Sequence, residues 1–329
     1  MILPSMSYDM LLIGDIHINA KYKDKILTAL KERIANHPEE QHLIFLGDFV
    51  YHFSYDRSSL LALYDLFLEL YQQGKSLYIL AGNHDRLGNN FVFEEAKKAF
   101  QMFSQLFPKE QTAQGKSGSI QFITTPLLTT IEGKPFCFLP YMLDINLAVY
   151  PGIEQLQDHH YEAQLQTGNK NLILSAKLHL LLQYFKQHQP ALTIVHHYYF
   201  DNVAFPGQKS KFSFRDVALS SQRLDDTEIQ FISGHLHQPF SYKNYFCTGS
   251  VRATSPLEEN QLKGIRKYAQ GKRSFYQLGI NFYFSIQRKE QTNAGLFATE
   301  TPLTLADIHQ HHLQLQQQFN QLFSSLSLP

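Results

Sequence analysis

Four short polar segments constrain this chain most, because each directly follows an apolar run that is typical of a β-strand. They read GDIH at 14–17, GDF at 47–49, GNHD at 82–85 and GHLH at 234–237. Residues that follow parallel strands lie at the same edge of a sheet. The pattern therefore predicts that Asp, Asn and His side chains from distant parts of the chain meet at one place.

Between these segments, strand-like and helix-like patterns alternate, which predicts layered α/β architecture. The predicted order is strand 9–13, helix 24–35, strand 42–46, helix 58–71, strand 76–81 and helix 91–107. After Gly118, shorter apolar runs separated by Pro and Gly predict a second sheet. Its predicted elements are strands 120–124, 127–131, 136–139, 192–195, 229–233, 245–248 and 279–286, with a helix at 175–187 and loops at 150–171 and 200–215.

Composition excludes several classes of protein. The 329 residues include 29 Lys and Arg against 29 Asp and Glu, so no overall positive field attracts nucleic acid, and any DNA contact must be local. Two cysteines in apolar runs argue against a disulfide framework and predict a cytoplasmic protein. We find neither a signal-peptide pattern nor a run of about 20 apolar residues, so we expect no membrane segment.

The residue types in the four segments are those that bind metal ions. Asp15 and His17 lie two residues apart, and in an extended chain both side chains would face one ion. The same spacing recurs at His235 and His237, and Asp48 offers a carboxylate that could bridge two ions. A single histidine at a strand end more often only forms hydrogen bonds. Several such groups gathered together favour bound cations, which offset the cost of burying them.

The ordered signature DxH, GDxx, GNH[DE], a strand-end His and GHxH resembles that of the calcineurin-like metallophosphoesterase superfamily. The resemblance implies a four-layer α/β/β/α fold, with two mixed sheets face to face and flanked by helices. It implies one metal at Asp15, His17 and His237, a second at Asn83, His196 and His235, and Asp48 bridging them. It further implies that His84 is catalytic and that Asp85 orients it. His196 is preferred to His197 because the family uses the first histidine after the strand.

The charges predict the reaction. Two divalent ions and two carboxylates leave the site at about +2, which favours an anionic phosphate ester. A hydroxide activated by both ions would attack phosphorus, and His84 would stabilise or protonate the leaving oxygen. Asp, Asn and His donors without thiolate fit Mn²⁺ best, with Zn²⁺, Fe or Co²⁺ as alternatives.

Shorter segments resemble the SbcD-type branch of DNA repair nucleases. They are LPY at 139–141, Gln238-Pro239 after GHLH, Gly249-Ser250 and EENQLKG at 258–264. This resemblance implies a DNA nuclease and an SbcC-type ATPase partner. The chain has no room for a full capping domain, so we predict a catalytic domain at 1–290 with a reduced cap-like element around 251–290.

Residues 291–329 form the predicted C-terminal extension. Its apolar residues follow helical spacing, interrupted only by His312, and are Leu305, Ile308, Leu315, Phe319, Leu322 and Leu326. This amphipathic helix either packs on its own domain or docks on a partner's coiled coil or on a second copy of the chain.

Substrate contacts are predicted on two loops. His52 and Arg57 follow Asp48, and His197 and Tyr198 follow the strand that ends near His196.

A run of basic residues is either a surface that binds successive phosphates of a nucleic acid or a solvated hairpin. It comprises Lys263, Arg266, Lys267, Lys272 and Arg273. Three functions remain open: a DNA nuclease, a stand-alone phosphodiesterase or phosphatase for small molecules, and a non-catalytic scaffold. The intact His84 and the complete set of candidate ligands argue against the scaffold.

Overall fold

The structure is a computed structural model. It describes residues 10–50, 57–87, 90–106, 118–156, 163–164, 167–203, 216–254, 258, 261, 263–269, 272–277, 310 and 313. The helices of this part are α1 (Lys23–Ala35), α2 (Arg57–Gln72), α3 (Glu94–Leu106) and α4 (Lys170–His188). Its strands are β1 (Met10–Ile13), β2 (His42–Phe45), β3 (Ser76–Leu80), β4 (Arg86–Leu87), β5 (Asn90–Phe91), β6 (Ser119–Ile123), β7 (Leu127–Ile131), β8 (Lys134–Leu139), β9 (Leu192–His196), β10 (Tyr199–Phe200), β11 (Ala218–Leu219), β12 (Ile229–Ser233), β13 (Phe240–Tyr242), β14 (Tyr245–Cys247), β15 (Gly264–Ala269) and β16 (Lys272–Gln277).

Within these residues the longer strands form two six-stranded mixed sheets. The first has the order β16-β15-β1-β2-β3-β6, in which β1, β2, β3 and β6 are parallel and β15 is antiparallel to both of its neighbours. The second has the order β13-β14-β12-β9-β8-β7, with parallel strands in the middle and an antiparallel strand at each edge.

Side-chain alternation explains how the sheets pack. Leu12, Ile44 and Leu80 of the first sheet share one buried cluster with Val195 and Ile232 of the second, so these faces pack against each other. The opposite face of the first sheet packs against α1, α2 and α3. The opposite face of the second sheet packs against α4. The predicted four-layer α/β/β/α fold is confirmed.

Most predicted elements are present with small shifts. Predicted helix 91–107 begins later, at Glu94, because residues 90–91 pair with 86–87 in a short antiparallel ladder. Predicted helix 175–187 begins earlier, at Lys170, because the side chain of Asn169 caps it by accepting the amide hydrogens of Asn171 and Leu172. The predicted loop 150–171 contains a short 3-10 helix at Ile153–Gln155. Predicted strand 279–286 lies outside the described residues.

The hairpin of β15 and β16 falls in the region where the sequence predicted a cap-like element. It pairs with β1 and extends the first sheet. Of the predicted C-terminal helix, only Gln310 and Leu313 are described, both in helical conformation. The other residues of that helix lie outside the described part of the chain. The domain boundaries at 290 and 291 remain predictions.

In the described ranges, no helix combines the length and apolar character that crossing a bilayer requires. Both cysteines, Cys137 and Cys247, are buried free thiols in β8 and β14.

Candidate metal centre

The four polar segments meet at the edge of the sheets where β1, β2, β3 and β12 end. The segments after β1 and β2 run side by side, since the amide of His17 donates to the carbonyl of Asp48 at 2.9 Å. Gly47 allows this close packing: its φ is 96°, and a Cβ there would lie 2.6 Å from Nδ1 of His197. Polar residues from distant parts of the sequence therefore converge, as predicted.

A first donor group consists of Asp15, His17 and His237, whose ligand atoms all lie within 4.8 Å of one another. Nε2 of His17 is 3.0 Å from Nε2 of His237. Nε2 of His237 is 3.6 Å from Oδ2 of Asp15. His17 and His237 are 220 positions apart in the sequence, and the contact between the two sheets brings them together.

Each histidine of the first donor group is oriented by a hydrogen bond at Nδ1, the ring nitrogen that does not face the group. Nδ1 of His17 donates to the carbonyl of Val50 at 3.1 Å, and Nδ1 of His237 donates to the carboxylate of Glu258 at 2.8 Å. These bonds turn both Nε2 atoms towards the centre of the group. Such partners are the usual way in which proteins aim a histidine ligand.

A second donor group consists of Asp48, His197 and His235, again with ligand atoms within 4.8 Å of one another. Oδ2 of Asp48 is 3.2 Å from Nε2 of His197. Oδ1 of Asn83 lies 3.0 Å from the same nitrogen, which adds Asn83 to the edge of the group. Nδ1 of His197 donates to the carbonyl of Leu46 at 2.6 Å, so its Nε2 faces the two oxygens.

His196 does not join either group, which departs from the sequence prediction. Its ring packs in the core between the second sheet and α4, with centroids 5.4 Å from Phe200, 5.8 Å from Phe231 and 5.7 Å from Tyr245. The physical reason is strand alternation: His196 continues the face of β9 that packs towards α4, while His197 emerges on the other side, between the sheets. We therefore replace His196 by His197 in the candidate ligand set.

Asp48 connects the two donor groups. Its Oδ2 lies 3.2 Å from Nε2 of His197 and 3.9 Å from Nε2 of His17. One carboxylate oxygen therefore reaches both groups, which is what a bridging ligand requires. A further contact joins them, because the backbone amide of His235 donates to Oδ1 of Asp15 at 3.0 Å.

The donor atoms fit divalent cations. Within the described residues, Oδ2 of Asp15 is buried and accepts no hydrogen bond. Because carbonyl and carboxylate oxygens accept, Nδ1 of His17 and of His237 carries hydrogen, so each ring, when neutral, offers the lone pair of its Nε2, and these two nitrogens lie 3.0 Å apart. One cation could accept both lone pairs. Two ligands at right angles, each about 2.1 Å from one ion, lie about 3 Å apart.

Three of the converging residues have a left-handed backbone, which is unusual for residues other than glycine. The φ angles are 46° at His17, 52° at Asp48 and 70° at His235. Such conformations cost about 1–3 kcal/mol each and concentrate at functional sites. The prediction that both residues of each pair bind one ion required an extended chain through GDIH and GHLH. The backbone is not extended in either segment. Asp15 and His17 still share one group, whereas His235 and His237 fall into different groups.

His84 lies at the open side of the centre. Its Nε2 is 4.0 Å from Oδ2 of Asp48, its ring centroid is 5.0 Å from that of His17, and its side chain is 26% exposed. Its backbone amide donates to Oδ1 of Asp48 at 2.8 Å, which fixes the residue beside both groups. A partly exposed imidazole at the edge of the donor groups suits contact with a substrate.

The family profile of the calcineurin-like phosphoesterases matches residues 9–239, more than half of the chain. The chain belongs to the calcineurin-like phosphoesterase family. Its members hydrolyse phosphoester bonds and depend on two metal ions, so the recognition made from the motifs is confirmed at the level of the superfamily. The two donor groups agree with that dependence.

Two solved structures are similar to this phosphoesterase over most of its length. A dimetal phosphatase from Danio rerio is 13% identical, covers 83% of this chain and 99% of its own, and gives a TM-score of 0.40. GAP50, the anchor in the inner membrane complex of Plasmodium, is 12% identical, covers 84% and 86% respectively, and gives a TM-score of 0.39. No curated protein matches the chain.

Asp85 supports the phosphoesterase centre through the backbone. Its Oδ1 accepts the amide hydrogens of Phe49 at 2.8 Å and Val50 at 3.3 Å, and its Oδ2 accepts that of Gly82 at 2.8 Å. The sequence predicted that Asp85 would orient His84. The structure shows the carboxylate tying the GNHD segment to the GDF segment, and hence acting on the position of Asp48.

Burial and close charges perturb the acid-base properties of the centre. Burial raises the pKa of Asp15 to about 6, and burial together with Asp48 raises that of Asp85 to about 7. Burial also acts on Asp48, but the imidazoles of His197 and His17 outweigh it and hold its pKa well below the usual value. Burial opposes protonation of His197, yet Asp48 raises its pKa to about 9. In the metal-free protein a proton on His197 therefore neutralises the second donor group.

The predicted substrate contacts have different outcomes. His52 lies outside the described residues, and Arg57 begins α2 with an exposed side chain. Tyr198 is fully buried: its hydroxyl donates to the carbonyl of Pro140 at 2.7 Å and accepts the amide hydrogen of Met142 at 2.9 Å. It therefore anchors the segment after β8 and presents no exposed surface to a substrate. His197, predicted to reach substrate, belongs to the second donor group.

Sequence reasoning missed the neighbours that support the ligands. The ring of Tyr199 lies 3.8 Å, centroid to centroid, from that of His235. The guanidinium of Arg252 is buried and donates to the carbonyl of His17 at 3.0 Å. In the sequence, Glu258 is notable only as part of the run that resembles SbcD-type nucleases. The signal for Glu258 was its position in the sequence EENQLKG, but nothing local linked it to His237.

The basic run of the hairpin is largely paired where it is described. Nζ of Lys263 is buried and lies 2.8 Å from Oε2 of Glu258. Lys267 forms ion pairs with Glu39, at 3.1 Å, and with Glu40. These contacts favour the interpretation as a structural hairpin over that of a surface that follows phosphates.

Proposed function

We propose that this phosphoesterase hydrolyses phosphodiesters with two divalent ions. The first donor group would hold one ion. The second donor group, together with Asn83, would hold the other. The observation that carries the proposal is the position of Asp48, whose Oδ2 lies 3.2 Å from Nε2 of His197 and 3.9 Å from Nε2 of His17. One carboxylate is thus positioned to join two sites.

The residues around the ions have separate tasks. When bound, two divalent ions supply Lewis-acid stabilisation of phosphoryl oxygens and an acidified water. Asp15 and Asp48 keep the centre from carrying the full charge of two cations. His84, 26% exposed and fixed through its amide to Asp48, would donate a proton or a hydrogen bond to the leaving oxygen. Asp85 would hold the segments that carry Asp48 and Asn83.

We propose Mn²⁺ as the working metal. The donors are carboxylate, amide and imidazole, with no thiolate among the residues of the two groups. Such mixed oxygen and nitrogen sites suit Mn²⁺, and Zn²⁺, Fe or Co²⁺ are alternatives.

We propose DNA as the substrate class, on the resemblance of 238–264 to SbcD-type nucleases. Two residues of that run support the proposal because they lie at the candidate centre. Glu258 accepts from His237 at 2.8 Å, and Lys263 lies 2.8 Å from Glu258. The run that carries the resemblance is therefore connected to the proposed ligands.

A small phosphodiester or phosphomonoester is the second candidate. It is favoured by the ion pairs of Lys263 and Lys267, which occupy two residues of the basic run with carboxylates of this chain. The net charge of zero also favours a small substrate, because no overall positive field attracts DNA.

The test compares three substrates with the Mn²⁺-loaded protein: linear duplex DNA, bis-p-nitrophenyl phosphate and p-nitrophenyl phosphate. Cleavage of DNA and of the aryl diester, both lost in His84→Ala, is the expected result. Hydrolysis of the aryl esters without DNA cleavage would select the second candidate. If the protein binds two Mn²⁺ ions and hydrolyses none of the three, the enzymatic proposal fails and the scaffold becomes the better explanation.

Partner binding through the C-terminal helix stays a proposal, since nearly all of that helix lies outside the described residues. An SbcC-type ATPase or a second copy of the chain are the proposed partners. A cytoplasmic location is likewise proposed, and the two buried free thiols support it.

A further inference from the structure

Glu258 lies directly behind a proposed metal ligand. Its Oε1 accepts from Nδ1 of His237 at 2.8 Å, on the side of the ring opposite to the first donor group. The carboxylate is only 12% exposed, although it belongs to a different part of the chain from GHLH. A buried carboxylate on a ligand histidine both fixes the ring and increases the basicity of Nε2.

The carboxylate of Glu258 is itself held in place. The hydroxyl of Thr254 donates to Oε1 at 2.7 Å, and the amide of Thr254 donates to Oε2 at 3.1 Å. Nζ of Lys263 donates to Oε2 at 2.8 Å and also to the carbonyl of His237 at 2.8 Å. Lys263 therefore fixes both the backbone of His237 and the partner of its side chain.

The other oriented ligands have neutral partners at Nδ1. His17 donates to the carbonyl of Val50, and His197 donates to the carbonyl of Leu46. A carbonyl orients the ring, but it lacks the full negative charge of a carboxylate. The anionic partner at His237 thus distinguishes the first donor group from the second.

We propose that Glu258, held by Thr254 and Lys263, is a positioning residue that controls metal affinity at the first donor group and leaves the second unaffected. This inference rests on the proposed two-metal function. Glu258 contacts neither substrate nor ion. It acts through His237 by keeping Nδ1 protonated and Nε2 aimed into the group.

The experiment titrates metal-free protein with Mn²⁺, in the absence of substrate, by isothermal titration calorimetry and by electron paramagnetic resonance of the spin-coupled pair. Glu258→Gln keeps the shape and removes the charge. We expect about 10- to 100-fold weaker binding at one site, with the other site unchanged. Glu258→Asp, which retains the charge, should recover part of the loss.

The matched control is Glu132→Gln. Glu132 also pairs with a histidine, since its Oε1 lies 3.6 Å from Nε2 of His42, but neither residue belongs to a donor group. Both Mn²⁺ affinities should equal those of the wild type. A loss of affinity in this control would show that the effect of Glu258→Gln is not specific, and would overturn the inference.

Combining Glu258→Gln with a second substitution, in either donor group, shows which metal site is weakened. In His237→Ala, Glu258→Gln should have no additional effect on the remaining ion. In His197→Ala, it should weaken the remaining ion by the same factor as in the wild type. The reverse pattern would overturn the inference, because Glu258 would then act on the second donor group.

The outcomes separate this inference from the proposed function. If the wild type binds two Mn²⁺ ions and Glu258→Gln weakens both equally or neither, only the inference fails. If the wild type binds fewer than two, the two-metal proposal fails. Thermal unfolding in EDTA checks folding. Should Glu258→Gln not fold, Thr254→Val carries the test, since it removes the hydroxyl that contacts both Oε1 of Glu258, at 2.7 Å, and Nδ1 of His237, at 2.9 Å. It must weaken the same single site, and unchanged affinity would overturn the inference.

Discussion

Two adjacent histidines provide the strictest test of the candidate centre, because they differ in the face of the sheet that they occupy. We predict that His197→Ala loses the metal of the second donor group and nearly all activity. We predict that His196→Phe retains both metals and activity. The sequence alone favoured the opposite assignment.

The contacts set the size of each effect. His197 is within 3.2 Å of Asp48 and 3.0 Å of Asn83, so its removal deletes a direct donor. Removing a residue that only hydrogen-bonds to a ligand weakens metal binding about 10- to 100-fold. The loss of metal affinity in His197→Ala should be larger. In His196→Phe, a bond of 3.3 Å from the amide of Tyr198 is lost, at a cost of about 1 kcal/mol.

A compensating gain is expected in His196→Phe. Nε2 of His196 is buried without a hydrogen-bond partner in the described part of the chain, and leaving such a group unsatisfied costs about 1–3 kcal/mol. Burial lowers the pKa of His196 to about 3, so the imidazole is uncharged at neutral pH and its replacement by a phenyl ring removes no charge. The free energy of unfolding should therefore change by no more than about 1–2 kcal/mol in either direction.

The assay combines elemental analysis of bound Mn²⁺, hydrolysis of an aryl phosphodiester and unfolding in urea. His197→Ala should fold with one ion and negligible turnover. His196→Phe should resemble the wild type in all three measurements. Loss of an ion from His196→Phe, with full occupancy in His197→Ala, would refute the assignment and the argument from strand alternation.

The remaining predictions concern other parts of the centre. His84→Ala should lower turnover by about 10²- to 10⁴-fold and leave both ions bound, and loss of both ions would instead make His84 a ligand. Asp85→Asn should cost about 1–3 kcal/mol in urea unfolding, because an NH₂ group replaces an acceptor of buried amides, and unchanged stability would contradict that role. Since Asp48 raises the pKa of His197 from 6.5 to about 9, their pair stabilises metal-free protein fully below pH 6.5 and loses this contribution as the pH rises through about 9. Mn²⁺ binding at pH 7 should therefore release about one proton, measurable by calorimetry in buffers of different ionisation enthalpy. Deletion from Thr301 onward should lower stability if the C-terminal helix packs on its own domain, and should abolish partner binding or self-association if it docks elsewhere, as light scattering would show.

Local patterns in the sequence were sufficient for the elements and for the order of the motifs. Strand 229–233 and helix 24–35 were predicted within one residue, because burial on one face leaves a regular spacing of apolar residues. The helix begins at Lys170, earlier than predicted, because the side chain of Asn169 caps it. A polar capping residue does not contribute to the spacing of apolar residues from which the helix was predicted. The polar segments could be placed at strand ends for the same local reason.

The roles of individual residues were harder to predict. Periodicity shows that His196 and His197 point to opposite faces, but not which face meets the other sheet. Asp85 has the composition of a catalytic partner, and only the fold shows its carboxylate bound to backbone amides. The left-handed backbone at His235 could not be anticipated, because it departs from the extended chain that the motif spacing assumes.

The sequence by itself determined the layered α/β fold, the family and the set of polar residues that meet at the sheet edge, because strand and helix periodicity and motif order are local properties. Tertiary structure decided that His197 rather than His196 faces Asp48, and that Glu258 lies behind His237. These outcomes depend on how two sheets pack face to face and on contacts between residues far apart in the chain. Neither leaves a periodic signal in the sequence.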